Sequence, residues 1–415
     1  MLKMKKLNKL FSLGDIYVSD FIKNDEQPRA DKIPLTIAIE EETGAIRLER
    51  FTDNHLMYGK YWYRSGINAT MTKELNNIVQ SCLESVKTND GDVWLDIACN
   101  DGTLLKAIPN NMIKVGIDPV DDSYTLESSQ TADLIIQDFF NAKVYNESIY
   151  GTKKPKIITC IAMFYDLDEP SKFLDDVYDI MDDEGLFVLQ MSYTPLMVKQ
   201  LAFDNICHEH VYYYTLKSIK KLIEDSNFKI VDCQLNDING GSFRIYIRKK
   251  ISTDSKFKTA PYRDVANYRI ECILALEDND KMDTPEPYMK FWEDIKNLKT
   301  QTVNFIKQAK SEGKTVWGYG ASTKGNTLLQ WFELDETLID GIAERSPFKY
   351  GHKTVGTNIP IFSESEMRKT NPDYLLILPW HFINEFCERE SQYLKSGGKF
   401  IVPCPKFQII TSNDI

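Results

Sequence analysis

Residues 93–108 read Val-Trp-Leu-Asp-Ile-Ala-Cys-Asn-Asp-Gly-Thr-Leu-Leu-Lys-Ala-Ile. The apolar run Val93–Ile97 is continuous rather than alternating, which marks a strand buried on both faces, as in a parallel sheet. A short turn of small and polar residues ends at Gly102. The helical pattern from Thr103 to Ile108 then begins with free N–H groups aimed back into the turn. The positive end of a helix suits an anion or a carboxylate.

The turn is not a dinucleotide fingerprint. Ala98 and Asn100 stand where GxGxxG needs glycine, and a pyrophosphate requires close backbone approach at more than one point. An acid at the strand end, Asp96, followed by Asp101-Gly102, favours a ligand with an ammonium and a ribose and no pyrophosphate. About 20 residues further on the next strand ends in Asp118-Pro119, and an acid there can accept hydrogen bonds from both ribose hydroxyls. A third strand leads to Gln137-Asp138-Phe139-Phe140. There Asp138 is placed to take an adenine amine, with Phe139 as apolar neighbour. Three acids at successive strand ends point to S-adenosylmethionine (SAM). The alternative is the same fold with a different or decayed ligand. The expected SAM contacts are Tyr63, Ser65, Asp96, Ala98, Asn100, Asp101, Gly102, Asp118, Pro119, Asp138, Phe139 and Ala162.

Outward from this stretch, apolar runs at 114–117, 134–136, 157–162 and 185–191 alternate with helical segments. That order gives an α/β fold, a Rossmann-like parallel sheet covered on both faces. Runs at 229–235 and 242–248 come late enough to close it as an antiparallel pair. A helix over 70–86 precedes the first strand, with Thr70 or Thr72 as its cap. The first seventy or so residues look irregular, with strand-like pieces at 34–39 and 45–48. Two amphipathic helices follow residue 252, separated by Thr-Pro-Glu-Pro at 284–287. A second, smaller Rossmann-like unit begins at 315–319 and continues through 338–343, 374–378 and 399–402. The expected division is a short N-terminal module (1–69), a SAM-binding domain (70–250), and a helical pair with the second Rossmann-like domain (251–415).

Composition narrows the function. The chain has 415 residues, long enough for two or three domains, and 61 acidic against 50 basic residues, a net charge of −11. A nucleic-acid partner normally meets a basic face, so none is expected. No apolar run reaches the roughly 18 residues of a membrane span. MLKMKKLNKLF has neither the apolar stretch nor the cleavage site of a signal peptide. The eight cysteines form no CxxC pair, which fits reduced thiols in the cytoplasm.

A second constellation is Cys207-His208-Glu209-His210. As a metal site it offers histidines at i, i+2, short of the three converging ligands needed, and it is not HExxH. It can be a polar loop, or it can do acid–base chemistry near neutral pH. A third is the Gly-rich turn in Trp-Gly-Tyr-Gly-Ala-Ser-Thr-Lys-Gly-Asn (317–326). Lys324 lies within it, and Glu344, Arg345 and Lys349 follow the next strand. Glycines with nearby cations suit a diphosphate.

Six motifs then stand in order: YWYRSGINATM (61–71), DIACNDGTLL (96–105), FDNICHEHVYYYTL (203–216), NGGSFR (239–244), GYGASTKGNTLLQ (318–330) and LPWHF (378–382). In these the chain resembles the nucleotide-sugar C-methyltransferases over nearly its whole length. The resemblance implies SAM-dependent methylation of a nucleotide-linked 4-keto-deoxysugar, most simply at C-3, with C-5 as the variant chemistry. It implies His210 as the base that forms an enolate, with Glu209 orienting it or binding a sugar hydroxyl. The donor to the enolate oxygen is left among Tyr61, Tyr63 and His208. The sugar nucleotide is expected near Tyr61, Asp166, Cys207, Asn239, Arg244, Ser322, Lys324, Asn326, Glu344, Lys349, Trp380 and His381. A monomer or homodimer is expected.

The chain departs from that family in three places. Members with a four-cysteine zinc module have cysteines where this chain has Glu40 and Thr43, so a reduced, zinc-free module is expected. Cys207 replaces a tyrosine, and Asp166 replaces a histidine. Two other classes remain: a non-catalytic nucleotide-sugar binder, and an NAD dehydrogenase, which the absence of GxGxxG at both turns disfavours.

Overall fold

A computed structural model describes residues 6–53, 56–57, 61–253 and 256–414. Residues 1–5, the start of the segment read above as lacking a signal peptide, lie outside the described residues. Strands are numbered along the chain. The first sheet holds β5 (Val93–Ile97), β6 (Ile113–Ile117), β7 (Leu134–Ile136), β8 (Ile157–Ile161), β9 (Leu186–Ser192), β11 (Phe228–Asn236) and β12 (Ser242–Lys249). Their order is β11-β12-β9-β8-β5-β6-β7. The pairs from β7 to β9 are parallel, and β12 pairs antiparallel with both β9 and β11. Strand order reverses between β5 and β8, so a crevice opens beyond their carboxyl ends, where open α/β sheets take ligands. The central strands β5, β8 and β9 are almost wholly buried, which is why their sequences are unbroken apolar runs.

The second sheet runs β16-β14-β13-β17-β18-β19. Its members are β13 (Val316–Tyr319), β14 (Ile342–Glu344), β16 (Ile361–Ser363), β17 (Tyr374–Ile377), β18 (Lys399–Val402) and β19 (Gln408–Ile410). All pairs are parallel except β18 with β19.

The N-terminal module is more regular than expected. β1 (Leu7–Ile16), β3 (Ile33–Glu40) and β4 (Ile46–Leu48) form an antiparallel meander, and β10 (Tyr212–Tyr213) joins its edge. β1 escaped the sequence reading because two register shifts break its alternation. At the β3–β4 turn, Thr43 Oγ1 donates to Glu40 Oε2 at 2.8 Å and Arg47 lies 3.7 Å from Glu40. An ion pair and a hydrogen bond thus tie this turn. β2 (Phe21–Ile22) pairs with β15 (Lys353–Thr354), stitching the module to the second Rossmann-like unit.

The helix preceding β5 spans Ala69–Ser85. Its cap is Asn68, whose side chain accepts the Met71 N–H at 3.1 Å, instead of Thr70 or Thr72. The two later helices divide between the cores. Tyr262–Asn279 packs Ile270 and Ile273 into the core of the first sheet, and its buried Glu277 accepts the Leu216 and Lys217 N–H groups. Glu286–Ser311 instead contributes Tyr288, Phe291, Ile295 and Ile306 to one core shared by the second sheet and the N-terminal meander. Among the described residues, no helix is long and apolar enough to cross a membrane.

Candidate active site

A cleft of about 640 Å³ lies between the carboxyl ends of β5, β6 and β8 and those of β13 and β14. That volume lies within the usual range for small-molecule sites. The turn after β5 is shaped by its backbone. Ala98 (φ 61°) and Asn100 (φ 51°), and Ala162 (φ 56°) after β8, all sit in the left-handed region. Such residues cost about 1–3 kcal/mol each and cluster at ligand sites. Asn100 N–H donates to Asp118 Oδ2 at 2.7 Å, and Val120 N–H to Oδ1 at 3.1 Å. Burial raises the Asp118 carboxyl to about 6. Asp96 accepts the Thr159 hydroxyl at 2.6 Å, and burial lifts it to about 7.

The segment around residues 61–67 covers this turn. Ser65 N–H reaches Asn100 Oδ1 at 3.1 Å, Asn100 Nδ2 donates to the Tyr63 carbonyl at 3.0 Å, and Gly66 N–H donates to Asp101 at 2.7 Å. Arg64 lies between the rings of Tyr124 and Phe348, 3.8 and 4.4 Å from their centroids, and pairs with Glu127. Trp62 Nε1 donates to Asp20, which also pairs with Arg29. The segment is therefore pinned to all three parts of the molecule.

On the wall of the cleft, His210 Nδ1 lies 2.7 Å from the Asn205 carbonyl. A carbonyl only accepts, so Nδ1 carries the proton and Nε2 is left as the acceptor. Burial, with Lys324 nearby, lowers the imidazole to about 3, so the ring is neutral at pH 7. Tyr165 packs on it at 4.3 Å between centroids. Glu209 lines the cleft beside it, and burial raises its carboxyl to about 7 against the pull of Arg29 and Lys324. Lys324, from the second unit, donates to Asn205 Oδ1 at 2.6 Å. It thereby contacts the residue that orients His210.

The facing wall comes from the second unit. Ser322 caps the helix Thr323–Phe332 by accepting the Gly325 N–H at 2.9 Å. Glu344 accepts the N–H groups of Ala321, Arg345 and Ser346, each at 2.7 Å. Lys349 donates to the Ala321 carbonyl at 2.7 Å. His381 lines the cleft and has a buried Nδ1 with no hydrogen-bond partner among the described residues. Arg389, Tyr319, Glu364 and Glu385 complete this wall. They escaped the sequence reading because Glu364, Glu385 and Arg389 lie in short charged helices without a motif, and Tyr319 was passed over within its strand.

Of the expected site residues, Tyr61, Tyr63, Ser65, Asp96, Ala98, Asn100, Asp118, Pro119, Phe139, Ala162, Asp166, Glu209, His210, Asn239, Ser322, Lys324, Glu344, Lys349 and His381 line the one cleft. The others do not line it. Asp101 accepts the Thr103 N–H at 3.2 Å and the Thr103 hydroxyl at 2.6 Å. At Gly102 (φ 77°) packing favours glycine, since a Cβ there would sit 2.7 Å from Ser128 Cα. Asp138 is exposed and accepts the Phe139 N–H. His208 places Nε2 3.1 Å from the Ile33 carbonyl. Arg244 is buried in a polar seam with Glu74, Asn77 and Gln190. Asn326 donates to the Asp20 carbonyl, and Trp380 to Asp204, so both hold parts of the chain together. Cys207 is buried behind the wall, with its sulfur close to Glu209 and His210.

The sequence matches two protein families and resembles two curated proteins. Residues 67–232 match the methyltransferase domain family, and residues 237–405 match the family described as C-methyltransferase C-terminal domain. C-methyltransferase NovU of Streptomyces niveus is 25% identical over 404 residues, 97% of this chain and 94% of that protein. A sphingolipid C9-methyltransferase of Komagataella phaffii is 25% identical over 151 residues, 31% of this chain and 30% of its own. Among solved structures, an S-adenosylmethionine-dependent methyltransferase from Clostridium acetobutylicum is 15% identical, with 43% of this chain and 92% of that one covered at a TM-score of 0.33.

Proposed function

We propose that this chain, which matches the methyltransferase domain family over residues 67–232 and the C-methyltransferase C-terminal domain family over residues 237–405, is a SAM-dependent C-methyltransferase that methylates carbon in a nucleotide-linked 4-keto-deoxysugar, at C-3. The observation that carries this proposal is the neutral His210, whose Nε2 is left as acceptor on the wall of a cleft that both Rossmann-like units share.

SAM fits the first half of that cleft. Asp118 retains acceptor capacity for ribose hydroxyls beyond its two backbone donors, and Phe139 offers an apolar face near the end of β7. When bound there, the cofactor supplies an electrophilic methyl group. The protein's part is to make a nucleophilic carbon. A ketone acidifies the neighbouring C–H, His210 Nε2 accepts that proton, and the enolate carbon takes the methyl. Asn205 fixes the imidazole tautomer throughout. An ionised Glu209 favours the imidazolium that forms, and Tyr61 or Tyr63 donates to the enolate oxygen.

An imidazole held near 3 is a weak base, and general bases work best near the ambient pH. Burial is the larger influence that depresses it, and Lys324 is the second. A sugar diphosphate drawn to Lys324 neutralises that influence, so binding of substrate strengthens the base. The test is incubation with methyl-labelled SAM and a panel of 4-keto nucleotide-sugars. Label bonded to carbon in at least one sugar supports the proposal. Label on oxygen, or transfer to none of the panel, ends it.

A further inference from the structure

The turn Cys207–His210 brings Cys207, which the reaction above does not use, beside Glu209 and His210, which it does. His210 N–H donates to the Cys207 carbonyl at 3.3 Å, which folds the ends of the turn onto each other. The Cys207 sulfur, a Glu209 oxygen and a His210 ring nitrogen then lie within 4.8 Å of one another, with Cys207 and His210 buried and Glu209 partly buried. Among the described residues no other trio of His, Cys, Asp or Glu converges in this way.

We propose that Cys207, Glu209 and His210 form a site for one thiophilic divalent cation of the zinc class, and that a bound cation and proton abstraction by His210 exclude each other. Thiolate, carboxylate and imidazole are all zinc ligands, and two anionic donors neutralise the ion's charge. The hydrogen bond from Nδ1 to the Asn205 carbonyl fixes the ring and leaves Nε2 as ligand, the usual support for a metal-bound histidine. Glu209 and His210 line the cleft, so the remaining coordination position faces solvent and substrate. Binding expels the thiol proton to solvent, and no electron moves. The Lys324 ammonium, held on Asn205, opposes the cation and keeps its affinity below that of a closed structural zinc site. The exclusion half of the proposal rests on His210 being the base; the binding half does not.

The test titrates the reduced full-length protein with Co²⁺ without oxygen. One equivalent should bind with a thiolate-to-cobalt charge-transfer band. Cys207→Ser should abolish the band and Cys404→Ser should keep it. Glu209→Gln, which retains the thiol, should weaken Co²⁺ binding by at least about tenfold. No band, or a band that survives Cys207→Ser, overturns the site. In parallel, Zn²⁺ should suppress methyl transfer and a chelator should restore it. Transfer unchanged with the site filled overturns the exclusion. Absence of transfer to every sugar without metal defeats the methylation proposal alone and leaves the Co²⁺ spectrum to decide the site.

Discussion

In the turn after β5, the Asn100 N–H donates to Asp118, the acid that follows the neighbouring strand. In the turn after β13, the Ala321 N–H donates to Glu344, the acid that ends its neighbour. The same device closes both turns, yet the two acids end differently. Asp118 accepts two backbone donors and stays open to the cleft. Glu344 also lines the cleft, but it accepts three and has Lys349 3.8 Å away, so less of its acceptor capacity is left for a ligand. The first turn thus presents carboxylate acceptors, and the second presents its surroundings, with Lys324 foremost. A strand, a turn and an acid give the scaffold; the spare acceptor or donor left over gives the ligand.

The largest effect should come from the group between the halves. His210→Ala should lower turnover about 10²- to 10⁴-fold, the usual worth of a general base, with SAM affinity little changed by calorimetry. Next, Asp118→Ala leaves two N–H groups without their acceptor, at about 1–3 kcal/mol each, and should weaken SAM binding by tenfold or more, roughly. Glu344→Ala should cost stability in denaturant while leaving SAM affinity unchanged. Equal losses of SAM affinity in both variants would erase the distinction between the two turns.

A smaller effect concerns pH. Glu209 ionises near 7 in the folded chain, above its ordinary 4.5. Turnover should rise as pH passes through about 7, and Glu209→Gln should flatten that limb. The sign for stability is opposite: the folded chain holds this proton more tightly, so stability from this group is full below 4.5 and is lost as pH rises through 7. The smallest effect should be Gly102→Ala, which forces a left-handed φ and a clash with Ser128, at about 1–3 kcal/mol in urea unfolding.

The sequence was most legible where burial alone decides. β5, β8 and β9 announce themselves because both faces are covered, and Asp96 near the end of β5 and Asp118 just after β6 both line the cleft. It was less legible where a partner distant in sequence decides. Arg244 reads from its motif as a substrate contact, and the motif gives no sign that Glu74 and Asn77, from the helix preceding β5, bond its guanidinium. His208 and His210 look like a pair, but the tight turn sends one to Ile33 and the other to the cleft. The same turn puts Cys207 beside His210, a proximity that spacing along the chain does not display.

Proton exchange at the carbon beside the ketone tests the central claim most directly. With the accepting sugar, the demethylated cofactor and heavy water, the protein should wash deuterium into that carbon, and His210→Ala should not. Equal exchange in both proteins would contradict the account.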